Sequence, residues 1–291
     1  MAWSGPAAQP PRRLVLPPNA PPAPPRLDLP GGLRRGRPVR RAALGKRREF
    51  FARAPGRGGL RGLALGVPLG RQPALPALRA AWLAALGEIV GRRVLELGCG
   101  RGGELLELQR RGARVVGLEL TPRRLSAARG NLPDAGLVVG DAERTPFRDG
   151  AFDAVITNSV LLHLDRPRAL AEVSRLLAPG GRAVFLEPTD GHPLLRLYRL
   201  LRPRRGLVNY PDPTEFPRLA RGNPLELVEL SYWYLYAALP VLFTRLTGRG
   251  GRRLEAWTRR LARLDERLFT LRPDCRRRAW LVLAVYRKPA A

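Results

Sequence analysis

Val94-Leu95-Glu96-Leu97-Gly98-Cys99-Gly100-Arg101-Gly102-Gly103 is the stretch that decides how this 291-residue chain folds. An apolar run of strand character ends at Leu97, and Gly98, Gly100 and Gly102 then let the backbone turn where side chains would block a ligand. Glu104 to Gln109 is helical in character, so the order is strand, glycine turn, helix. Such a turn offers backbone N–H groups and the positive end of a helix dipole to whatever lies above it. Gly98, Gly100 and Gly103 also satisfy the G-x-G-x-x-G spacing of dinucleotide binders. Glu96 separates the two readings, because a carboxylate before the first glycine repels a pyrophosphate and suits a cation.

Outward from the turn, strand and helix alternate. Strands are expected at Val94–Leu97, Arg114–Leu120, Leu137–Val139, Phe152–Thr157 and Arg182–Leu186, with helices at Glu104–Arg111, Pro122–Asn131 and Arg168–Leu177. Strands separated by helices imply right-handed crossovers, a parallel sheet, and ligands at the carboxyl ends of its strands. The expected fold is therefore α/β and Rossmann-like, with helices on both faces. Upstream, residues 1–44 are crowded with Pro, Arg, Gly and Ala, lack apolar periodicity, and read as a disordered tail. Lys46–Ala54, with Phe50 and Phe51, and Leu75–Ile89, with Leu78, Trp82, Leu83 and Leu86 on one face, read as helices of an N-terminal cap over residues 45–90. Residues 91–291 form the main domain, and about 190–275 its substrate side.

The formal charge of +28 is uneven: residues 1–72 carry +13, 73–188 carry +3 and 189–291 carry +12. The region around the glycine turn is nearly neutral and the basic excess lies in the flanks. A basic excess invites a polyanion. Against that, Lys46 and Lys288 are the only lysines in a chain rich in Arg, Ala, Gly, Pro and Leu, as a GC-rich coding sequence produces. Cys99 and Cys275 make no disulfide framework and, with only His163 and His192 as histidines, no zinc site, so no metal is expected. Two free cysteines suit a reducing compartment, and no apolar stretch of signal-peptide length follows the amino terminus, so the expected location is cytoplasmic. Leu230 to Thr244 carries no charge, but Pro240 interrupts it and its 15 residues fall short of a bilayer span.

Glu96-Leu97-Gly98-Cys99-Gly100-Arg101-Gly102 resembles the first motif of class I S-adenosylmethionine (SAM) methyltransferases. Gly140-Asp141-Ala142 resembles that family's adenine-edge motif, with Leu120 as an apolar floor, and Phe152 to Ser159 its fourth strand, which ends in small polar residues beneath the methionine moiety. Glu172 to Gly181 resembles the helix and turn before the fifth strand. The resemblance covers about Val94 to Glu187 and points to small-molecule enzymes including the quinone C-methyltransferases. It implies a seven-stranded, mostly parallel sheet and SAM as methyl donor. The cofactor residues it implies are Glu96, Gly98, Cys99, Gly100, Gly102, Glu119, Leu120, Asp141, Ala142 and Asn158. Glu119, placed 19 residues after Gly100, supplies a carboxylate that accepts two hydrogen bonds from a vicinal diol. The first four residues after the strand, Asn158-Ser159-Val160-Leu161, lack the Asn-Pro-Pro-Tyr pattern that accompanies N-methylation of adenine or glutamine.

A general base is needed only where the acceptor must lose a proton, and His163 and His192 are the candidates, with Glu187 and Tyr210 behind them. The aromatic run Tyr232-Trp233-Tyr234-Leu235-Tyr236 suggests a small acceptor, apolar or lipid-like, and leaves peripheral contact with a membrane open. The alternatives are methylation of RNA or protein, which the charge favours and the want of an appended recognition domain disfavours, and an inactive SAM-binding module. Leu254–Phe269 reads as a basic amphipathic helix and Ala279–Tyr286 as a closing strand.

Overall fold

Strand β1 (Arg93–Leu97) lies between β2 (Arg114–Glu119) and β4 (Phe152–Asn158), parallel to both. The computed structural model describes residues 76–201, 208–247 and 251–290. The expected tail 1–44 and the helix 46–54 lie outside the described residues. With β3 (Gly136–Val139), β5 (Leu177–Pro188), β6 (Glu226–Trp233) and β7 (Leu281–Arg287), the sheet has seven strands in the order β3-β2-β1-β4-β5-β7-β6. The first five are parallel, while β7 pairs antiparallel with both β5 and β6. The chain leaves β1 toward β2 on one side and later fills the other side with β4, so the switch point falls beside the carboxyl end of β1.

Alternation along β1 divides its side chains between two apolar layers. Leu95 and Leu97 join one, with Val116, Val155 and Phe185. Val94 joins the other, with Leu105, Val115 and Ile156, so Glu96 shares its face by parity. In register with Glu96 stands Gly117 of β2, where an added Cβ would lie 2.6 Å from Cys99 Sγ. The missing side chain leaves room for the turn to fold back over the strand ends.

Helices α2 (Gly103–Arg110), α3 (Pro122–Arg129) and α4 (Arg166–Leu176) form the crossovers, and the Asp165 side chain caps α4 by accepting from the Arg168 N–H. The described part of the expected cap, α1 (Pro76–Leu86), buries Leu78, Trp82, Ala85 and Leu86 against the sheet beside β5. The fifth strand enters earlier than the sequence suggests. Leu177 already pairs with Phe152, the register shifts around Pro179-Gly180-Gly181, and regular pairing resumes at Arg182 opposite Ala154. The Pro-Gly-Gly turn, with Gly180 at φ 74, is thus a bulge within the strand. After β5 come α5 (Pro193–Leu201), α6 (Phe216–Leu219), α7 (Ala238–Thr247) and α8 (Arg252–Leu271). The apolar stretch 225–246 therefore divides into edge strand β6 and helix α7, with buried Tyr234 at φ 63 in the turn between them.

Candidate cofactor and acceptor sites

The three glycines of the turn serve two purposes. A Cβ on Gly98 would lie 2.6 Å from Val160 Cγ2, and one on Gly102 2.5 Å from Leu132 Cδ1, so these two admit neighbouring side chains. A Cβ on Gly100 would meet nothing nearer than the Gly98 carbonyl oxygen at 4.0 Å. Gly100, at φ 55, therefore faces open space at the end of β1. The turn hangs from β2, because Gly98 N–H and Cys99 N–H both donate to the Leu118 carbonyl, at 2.7 and 3.0 Å. The Cys99 thiol is buried and its pKa is pushed up, first by burial and then by the Glu96 charge, so it packs as a small apolar group.

Three buried carboxylates surround this turn: Glu96, Glu104 and Glu119. Glu119 Oε2 accepts from Gly100 N–H at 3.0 Å and Oε1 from Thr121 N–H at 2.9 Å, binding the second strand's end to the glycine turn. Glu104 Oε1 accepts from Asn158 Nδ2 at 2.8 Å, which ties α2 to the end of β4. Glu96 is held well above the usual carboxylate range, by burial first and then by the charges of Glu104 and Glu119. Its Oε2 and the hydroxyl of Thr121 are buried and find no partner among the described residues. Orphaned acceptors beside an open turn suit a ligand bearing positive charge and N–H donors. The residues therefore fit SAM, whose sulfonium and ammonium are cationic. Sequence reasoning overlooked Glu104, because an acid in the first turn of a helix is ordinary N-terminal chemistry.

Asp141 and Ala142 follow β3, where the Asp141 carboxylate accepts from Glu143 N–H at 3.0 Å, Ala142 is buried and Leu120 half-buried. Beyond β4 the chain turns through Ser159, at φ 60, into a short 3-10 turn, Leu161–His163. Glu187, fully buried at the end of β5, holds that turn: its Oε1 accepts from Thr157 Oγ1 at 2.8 Å and Val160 N–H at 3.1 Å. Burial raises the Glu187 pKa to about 7. Val160 in turn packs over Gly98, so Glu187 positions the glycine turn from two strands away. His163 is half-buried in the 3-10 turn. His192 is buried after β5, with Nε2 2.9 Å from the Leu235 carbonyl oxygen, and so anchors the turn after β6.

Asp265 of α8 holds the same turn, accepting from the N–H groups of Leu235, Tyr236 and Ala237 at 2.9, 2.8 and 3.0 Å. Beside it lies a cleft of ≈ 780 Å³ between β6, α8 and the start of α1, lined by Tyr232, Trp233, Arg259, Arg263, Phe269 and Arg276 among others. Trp233 stands opposite Leu281 of β7, which stands opposite Pro188 of β5, so the Trp233 end of the cleft lies at the carboxyl end of the sheet, four strands from β1. The described residues contain no group of three or more His, Cys, Asp or Glu able to hold a metal ion, and no helix long and apolar enough to cross a membrane.

Residues 95–185 match the family described as a methyltransferase domain. An uncharacterised methyltransferase of Mycobacterium tuberculosis is 36% identical over 121 residues, covering 42% of this chain and 49% of that protein. The demethylmenaquinone methyltransferase of Thermus thermophilus is 45% identical over 103 residues, 33% of this chain and 47% of that one. The chain spans about half the length of the relatives it matches. Among solved structures, geranyl diphosphate C-methyltransferase from Streptomyces coelicolor superposes with a TM-score of 0.54 at 19% identity, covering 72% of this chain and 77% of that one. The cyclase SpnF superposes at 0.52 with 20% identity, covering 74% and 80%.

Proposed function

We propose that this chain, which carries a class I SAM-dependent methyltransferase domain, transfers a methyl group from SAM to a small apolar or lipid-like acceptor. One observation carries the reading: an open glycine turn ringed by the buried carboxylates Glu96, Glu104 and Glu119. That ring penalises a pyrophosphate and favours a cationic ligand. Glu119 would take the ribose hydroxyls, the Asp141–Ala142 turn the adenine edge, and Glu96 with the backbone of Gly98 to Gly102 the amino acid end.

When bound, SAM supplies an electrophilic methyl on a sulfonium with a neutral leaving group. The chain's own task is then alignment and exclusion of water. His163, directly after β4, is the base candidate where the acceptor must lose a proton. The Nε2 of His192 already serves Leu235. The aromatic and arginine-lined cleft supports an acceptor with an apolar body, and the names of the demethylmenaquinone and geranyl diphosphate methyltransferases are in keeping with it.

Titration calorimetry tests the reading. SAM and S-adenosylhomocysteine should bind and NADH should not. Burial and the neighbouring carboxylates raise the Glu96 pKa, so a cation bound beside it should lower that pKa and favour release of a proton. Over the pH range in which that proton is released, the apparent binding enthalpy should change with the ionisation enthalpy of the buffer. NADH binding without SAM binding would overturn the proposal.

A further inference from the structure

Helix α8 presents to solvent a pattern that neither the cofactor turn nor the acceptor cleft uses. Its buried line runs through Thr258, Asp265 and Phe269. On the far side, Arg253, Arg260 and Arg267 recur every seven residues and so fall on one line along the helix. Trp257, Leu264 and Leu271 form a second line beside it, and they are 63%, 50% and 78% exposed. None of the three arginines forms an ion pair among the described residues, and none lines the cleft.

The two helices tied to α8 through the 235–237 turn also expose apolar side chains. Leu194, Leu197 and Leu200 of α5 are exposed, as are Leu239 and Phe243 of α7. Nine of the twelve large hydrophobic residues exposed among the described residues belong to α5, α7, α8 or the turn at Tyr236. These elements meet at one knot: His192, just before α5, and Asp265 of α8 both bond the 235–237 turn that leads into α7. A surface made only to be wetted would not gather tryptophan, leucine and phenylalanine there.

We propose that this face docks on an anionic lipid bilayer. The occupant follows from the pairing of the two lines. Trp257, Leu264 and Leu271 would sit at headgroup depth, and the adjacent arginines would extend along the interface to lipid phosphates. A nucleic acid would use the arginines and leave the apolar line wet. A protein groove would cover the apolar line and leave three like charges to be neutralised.

The test is co-sedimentation of the full chain with phosphatidylcholine vesicles, with and without phosphatidylglycerol. Binding is expected only to the anionic vesicles and should fall as salt is raised. Each of Arg253→Glu, Arg260→Glu and Arg267→Glu should weaken it about fivefold or more, from the worth of one interfacial arginine. Trp257→Ser with Leu264→Ser should also weaken it and should leave SAM affinity and the melting temperature unchanged, because both side chains are exposed. On the unmodified chain, bromine-labelled lipids should quench a tryptophan emission component that Trp257→Phe removes. Equal binding to neutral and anionic vesicles, binding to neither, or indifference to the arginine substitutions would overturn the proposal. So would a dimer in sedimentation that Trp257→Ser dissociates, which would assign the face to a second copy. Loss of SAM binding by the unmodified chain would defeat the proposed function and leave the docking result standing.

Discussion

The carboxyl ends of β1 to β4 and the region from β6 to α8, whose first turn lies at the same end of the sheet, are built in opposite ways. The first is nearly neutral, made of backbone, small residues and buried acids, and each strand end is set by parallel pairing to a neighbour. The second is basic and aromatic, made of long side chains on an edge strand and two helices, and held in place by Asp265 and His192. A common ligand needs the same backbone approach in every protein that binds it, whereas an acceptor site is shaped by side chains. The first region should therefore fail when space or a carboxylate changes, and the second when an aromatic wall is removed.

The largest effect expected is at Gly100. Gly100→Val should weaken SAM binding about 100-fold or more, since its branches enter the open space of the turn at a cost of about 3 kcal/mol or more, and at φ 55 it should lower folding stability as well. Gly98→Ala sharpens the contrast within the same turn. Its Cβ strikes Val160 at positive φ, so about 2–4 kcal/mol of folding stability should be lost in denaturant titrations. If Gly98→Ala lost only affinity, the division of labour among the glycines would be wrong.

Glu119→Gln keeps the shape and removes the charge. It should lower SAM affinity by roughly 10- to 100-fold in calorimetry, the worth of a hydrogen bond to a charged acceptor. A variant that bound SAM as tightly as the unmodified chain would place the ribose elsewhere.

Glu187 belongs to the scaffold between the two regions, and its effect reads in stability against pH. Its folded pKa of about 7 lies above the 4.5 of an ordinary glutamate, so between these values the folded chain keeps a proton that the unfolded chain has lost. That contribution is full below pH 4.5 and is lost as pH rises through about 7, amounting to about 3 kcal/mol. Glu187→Gln should flatten this part of the profile, leaving the slope of the same sign that Glu96 contributes. An unchanged profile would mean that Glu187 is ionised in the folded chain.

The smallest effect expected is at Trp233. Trp233→Ala should raise the acceptor KM about tenfold, from the loss of an aromatic wall, and leave the SAM Kd unchanged. Equal losses of SAM affinity and stability would make Trp233 part of the core it partly packs against, and the two regions would no longer be separable.

The sequence by itself determined the alternation of strands and helices, the glycine turn, and the positions of Glu96, Glu119 and Asp141. Those signals are local: period, turn residue and strand end lie within one short window. Glu104 and Glu187 were not legible as a ring member and a turn anchor, because an acid in a helix's first turn or after a strand is ordinary until the fold buries it. Only the tertiary structure decided which glycine faces open space and which a side chain, since Val160 and Leu132 reach the turn from other elements. It likewise decided that β7 inserts antiparallel between β5 and β6, and that His192 and Asp265 bind one turn from either side. These depend on packing between segments far apart in the chain, and no local pattern carries that information.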